Sequence, residues 1–119
     1  MRKFPEKDWK LFRSKIADWQ EAYMDRLNHE YIELLSGGED PSTKFWALVD
    51  RIKDDRHRVG VTVRMSRSEM IYIIAELVRD EAISLDDLEE FSDDCKDAIK
   101  MLLRIYDDED DTEDELENM

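Results

Sequence analysis

The stretch EKDWKLFRSKIADWQEAYMDRLNHEYIELL, from Glu6 to Leu35, decides the fold: thirty residues without Gly or Pro and with an apolar stripe down one side. Phe12, Ile16, Trp19, Tyr23, Leu27, Tyr31 and Leu34 recur every three or four positions, which is one face of an α-helix. Met24 and Leu35 widen the stripe; Trp9 and Leu11 begin it. Pro5 suits the first turn, where its missing N–H leaves no bond unmade. Ser36-Gly37-Gly38 predicts the stop, with a glycine free to take the left-handed C′ conformation. Such a helix is a rod of about 45 Å. A compact domain of this size is roughly 34 Å across. The helix therefore overhangs, and the expectation is that its first turns project, with Trp9 and Phe12 covered by a second subunit.

Working outward, the 119 residues suffice for one domain. Hydrophobic residues make up 41%, enough for one modest core. A single cysteine, Cys95, excludes an internal disulfide and fits a reducing compartment. Met1-Arg2-Lys3 is basic, but no continuous apolar run follows, and no stretch is apolar enough to span a bilayer. The expected location is cytoplasmic, without a membrane partner. The formal net charge of −14 is uneven. Residues 107–119 carry nine acids and no base, leaving −5 for residues 1–106. The expected organisation is one helical domain over 1–106 and a disordered acidic tail over 107–119, because an almost purely acidic segment buries too little to offset its ordering entropy.

The glycines and prolines punctuate the rest. Asp40-Pro41 predicts the start of a second helix, with Phe45, Leu48, Val49 and Ile52 as its buried face and Trp46 to one side. Val61, Val63 and Met65 alternate with Thr62 and Arg64, the period of an extended strand. One strand alone cannot make a sheet, so this is an extended connector. Ser66-Arg67-Ser68-Glu69 matches a capping box. Met70, Ile73, Ile74, Leu77 and Val78 follow as a central third helix, apolar over most of its circumference. Ser84 starts a short fourth helix with Leu88 inward. Ser92 caps a fifth, whose stripe is Cys95, Ala98, Ile99, Leu102, Leu103 and Tyr106. The fold class is thus all-α: a small bundle of four to five helices built on one long N-terminal helix.

No phosphate loop, nucleophile elbow or other catalytic signature is present, and two histidines with one cysteine complete no zinc pattern. No cofactor, metal or catalytic residue is assigned, and no enzyme is expected. Two basic patches stand out. Arg2, Lys3, Lys7, Lys10, Arg13 and Lys15 face only Glu6 and Asp8, against the preference of the helix macrodipole for acids at its start. Together with Trp9 and Phe12, the side chains of Lys7, Lys10 and Arg13 form a candidate protein interface. Arg51, Lys53, Arg56, Arg58, Arg64 and Arg67 bracket the connector. Within this second patch Arg56, Arg58, Arg64, Ser66, Arg67 and Ser68 form a candidate anion site at a helix start. No nucleic-acid module is recognisable, so nucleic acid is not an expected partner. The expected function is a non-enzymatic helical interaction or regulatory module, self-associating into a homo-oligomer. The alternative is an acidic nucleic-acid mimic that inhibits a nucleic-acid-binding protein.

Overall fold

The computed structural model describes residues 4–117, with side chains described for residues 4–109. The protein is all-α. Its helices are α1 (Glu6–Ser36), α2 (Pro41–Asp55), α3 (Met70–Arg79) and α4 (Asp93–Glu117), with short 3₁₀ helices at Arg67–Glu69 and Leu85–Leu88. The last of these is where a short fourth α-helix was expected. α4 carries the chain past residue 106 without a break, and Asp107, Asp108 and Glu109 are exposed on it. The remaining side chains of the expected acidic tail lie outside the described residues.

The first half of α1, α3 and the first turns of α4 enclose the core. Phe12, Ile16, Met70, Ile71, Ile74, Ala75, Leu77, Ile83, Leu88, Phe91, Cys95 and Ile99 are all buried there. α3 contributes most to it, as its broad apolar circumference predicts. A chain of aromatic rings lines the α1 side: Trp9 to Phe12 at 5.9 Å, Phe12 to Trp19 at 6.3 Å, and Trp19 to Phe91 at 6.4 Å. The overhang therefore lies at the opposite end of α1 from the one expected. The start of the helix is in the core; its last turns, past Leu27, leave the body and pair with α2 to form an arm. The radius of gyration, 17.3 Å, against about 13–14 Å for a compact chain of this length, agrees with this arm and with the length of α4.

Buried carboxylates tie these parts together. Asp8 is fully buried and accepts hydrogen bonds from the Ser92 N–H at 2.9 Å and the Ser92 hydroxyl at 2.6 Å. The Ser92 hydroxyl oxygen in turn accepts from the Cys95 N–H at 3.2 Å, which is the N-cap of α4. The sequence box at Ser66 and Glu69 does not form. Ser66 has no capping hydrogen bond, and its hydroxyl lies 3.2 Å from that of Ser68. The reciprocal box is at Ser84, whose N–H donates to Asp87 Oδ2 at 2.8 Å.

Gly37 ends α1 with φ −66°, not in the left-handed region. The left-handed residue is Glu81, with φ 60°, just past α3. Its carbonyl oxygen accepts from Arg26 Nη1 at 2.6 Å, which pins this turn to the middle of α1. Gly60 has a different task. It is buried against Tyr23, and a Cβ there would lie 2.2 Å from Tyr23 Cδ1. Tyr23 is itself only 3% exposed, so its ring has nowhere to move. Gly60→Ala is expected to cost about 1–3 kcal/mol by overpacking, measured by urea denaturation. No change in midpoint would mean that the connector does not seat on Tyr23.

Candidate protein-interaction surface

α2 buries no hydrophobic side chain; its one buried residue is Asp55. The reason is its seam with α1. Lys44, Leu48, Arg51 and Asp55 recur every three or four residues and form the line that meets α1. Lys44 Nζ donates to the Gly37 carbonyl at 3.2 Å, and Arg51 Nη2 lies 3.6 Å from Glu30 Oε1. This mostly polar seam turns the apolar stripe of α2 outward. Phe45 is 57% exposed, Trp46 62% and Ile52 44%, with Leu48 and Val49 half-buried. The expected buried face of α2 is thus corrected. On the neighbouring part of α1, Ile32 and Leu35 are also exposed. Phe45 and Trp46 pack edge to face at 5.0 Å, so the aromatic tip of the patch is locally ordered.

The base of the arm is a polar hub around Asp55, which is 2% exposed. Asp55 Oδ2 accepts from the Tyr31 hydroxyl at 2.6 Å and from Arg51 Nε at 3.3 Å; Oδ1 accepts from Arg58 Nε at 3.0 Å. Burial works against the Asp55 carboxylate. The Tyr31 hydrogen bond and the Arg51 and Arg58 guanidinium groups outweigh it and hold the carboxyl below its ordinary value. Burial first, and then the Asp55 carboxylate, push the Tyr31 phenol up to about 12. Arg58 Nη1 also reaches Asp80 at 4.0 Å, so the hub joins α1, α2, the connector and the end of α3.

The sequence-derived interface residues separate. Phe12 is fully buried in its own chain and has no surface to offer a partner. Trp9 packs on the same core and is covered by Arg67, whose guanidinium lies 5.7 Å from the ring and 2.9 Å from Glu6 Oε1. Lys7, Lys10 and Arg13 remain exposed on the outside of α1; Lys15 pairs with Glu90 at 3.8 Å. The candidate anion site does not assemble. Arg58 is spent on Asp55, Arg67 on Glu6 and Trp9, and Arg56 Nε donates to His57 Nε2 at 3.4 Å. The Ser66 and Ser68 hydroxyls face each other, and only Arg64 and Ser66 of the six line the adjacent cavity.

Cys95 is fully buried, and burial with the nearby Asp8 charge pushes its thiol up to about 12. It is expected to resist a thiol reagent in the native protein and to react at once in denaturant, since only the thiolate attacks. Fast native labelling would contradict its place in the core. Among the described residues, no helix is long and apolar enough to cross a membrane, and no three His, Cys, Asp or Glu side chains group to hold a metal ion. No protein-family model, curated protein or solved structure matches the chain.

Proposed function

We propose that the protein is a non-enzymatic interaction module that self-associates through the apolar face of its arm. The observation that carries this is the exposure of Phe45 and Trp46 on a helix that buries no hydrophobic side chain of its own. From the area of aromatic side chains and their exposure, Phe45, Trp46, Ile52, Ile32 and Leu35 offer on the order of 500 Å² of apolar surface, at the upper end for a patch on a monomer. A standard interface uses about 800 Å² per partner, so the polar surface around this patch would have to be covered as well. Trp46, exposed at the tip of the patch, is of the residue type that anchors interfaces. The location differs from the expected one at Trp9 and Phe12, while the kind of function is the same.

Sedimentation equilibrium across the micromolar range tests it. The wild-type chain is expected to approach dimer mass, and Trp46→Glu to remain monomeric. Lys10→Glu, on the exposed face of α1, should dimerise like the wild type. A wild-type monomer at every concentration, or a dimer unaffected by Trp46→Glu, would overturn the proposal.

The alternative, an acidic nucleic-acid mimic, draws support from α4. Asp107, Asp108 and Glu109 are exposed on a continuous helix, which holds acids more rigidly than a loose tail would. An inhibitor of this kind would lose its effect on a DNA- or RNA-binding partner when residues 107–119 are removed, whereas arm-mediated assembly would survive the truncation.

A further inference from the structure

Beside α3 runs a segment outside any helix whose middle residues pair with nothing. Residues 62–66 belong to no helix or strand, and Ser66 has φ −147° and ψ 124°. Thr62 is the last residue whose N–H is used locally, donating to the Arg58 carbonyl at 3.0 Å. Among the described residues the backbone groups of Val63, Arg64 and Met65 make no hydrogen bond. A row of free N–H and C=O groups on an extended segment is the template on which another strand pairs. The segment also forms one wall of a cavity of about 670 Å³, whose opposite wall includes Glu69, Ile73 and Glu76. These three recur at helical spacing, so they share one face. Val59, Val63 and Ile73 supply apolar lining, and all three also pack on the core.

The charges in the groove indicate what it would accept. Some acids are held by arginines: Glu6 by Arg67, Glu30 by Arg51, Asp55 by Arg58. Glu69 and Glu76 are exposed and form no ion pair among the described residues. They stand roughly 10 Å apart along the helix, within reach of two long basic side chains. Arg64 is the single arginine facing them from the other wall.

We propose that residues 62–66 and the α3 face opposite them form a strand-addition site for an extended peptide that alternates apolar and basic side chains. Its backbone would pair with Val63, Arg64 and Met65. Its apolar side chains would rest on Val63 and Ile73, and its basic ones would meet Glu69 and Glu76. The site is separate from the arm, so it stands or falls independently of self-association.

The test uses the full chain and a fluorescein-labelled hexapeptide of alternating lysine and valine, blocked at both ends, with anisotropy as the readout. Two further peptides are N-methylated, one on every valine amide and the other on every lysine amide. Successive residues of a strand direct their amides to opposite edges, so each methylated peptide has one edge blocked while charge and composition stay alike. Saturable binding of the parent is expected. One methylated peptide should bind about tenfold more weakly than the other, a difference of about 1.4 kcal/mol. The doubly substituted protein Glu69→Gln, Glu76→Gln should bind the parent several-fold more weakly, while Glu33→Gln, on α1, should not. Absence of binding, or equal affinity for the two methylated peptides, would overturn the proposal. The latter result would leave only general attraction between a basic peptide and an acidic protein.

Discussion

Phe12→Ala will lower the unfolding free energy by about 3–5 kcal/mol, the largest single effect expected in this chain. Phe12 is fully buried between Trp9 and Trp19 and belongs to the central apolar cluster. Truncation removes both the transfer free energy of the ring and the contacts that fill its space. The neighbours that could collapse into the void are themselves large aromatic rings, so little of that loss is recovered. Urea denaturation at two protein concentrations measures it. The loss should be the same at both, because every partner of Phe12 is in its own chain. A change within about 0.5 kcal/mol, the range of surface substitutions, would place Phe12 outside the core. A loss that grew on dilution would restore it to an interface between subunits.

Asp55→Ala is expected to cost about 2–3 kcal/mol at neutral pH. The substitution leaves the Tyr31 hydroxyl without its acceptor and frees Arg51 and Arg58, which are close enough to solvent to be rehydrated. That access keeps the estimate below the full cost of breaking a sealed ion pair. The pH dependence has a definite sign. The Asp55 carboxyl is held below its ordinary value of 3.8 in the folded state. Its contribution is therefore complete above the unfolded value and disappears as pH falls through the folded one. Denaturation curves of wild type and Asp55→Ala should accordingly differ at neutral pH and converge in acid. Tyr31 supplies a second readout. Its contribution is present below its ordinary value of 10.0 and is lost as pH rises through about 12. Phenolate absorbance should show one tyrosine titrating earlier in the variant, though above 10.0, since burial remains. Identical titrations would mean that Asp55 and Tyr31 are not bonded in solution.

These two residues also mark the limits of the sequence reading. The long helix, the apolar third helix and the stripe through Cys95 and Ile99 were legible because apolar residues at helical spacing almost dictate a buried face. The length of α1 foretold an overhang. It could not say which end, because Trp9 and Phe12 sit on the same stripe as Tyr31 and Leu34, and spacing is blind to what lies opposite. The orientation of α2 was missed for a related reason. Counting apolar positions assumes that the contact line is apolar, whereas Lys44, Arg51 and Asp55 build a polar one and rotate Phe45 away. Asp8 was equally hidden. An acid in the first turn of a helix is ordinary at the surface, and only the distant Ser92 reveals that this one holds the cap residue of another helix. At Ser66 the capping motif was present but lost to a 3₁₀ turn. The alternation at residues 61–65 falls on a segment that is outside any helix from Thr62 on, though Val61 closes a turn on Arg58 and the α3 wall beside it was not legible.

The bond from Asp8 to Ser92 spans 84 residues, whereas α1 and α2 are complete by residue 55. The order of assembly during synthesis follows from that difference. At 5–20 residues per second, Ser92 emerges roughly two to seven seconds after the end of α2. In that interval the arm can pair and Tyr31 can find Asp55, both through short-range contacts that form early. The other half of α1 has nothing to close upon, and Phe12 and Ile16 stay bare until α3 and then α4 arrive. A nascent chain stalled in this window would present the bare Phe12 and Ile16 to chaperones, and Asp8 would wait there for Ser92.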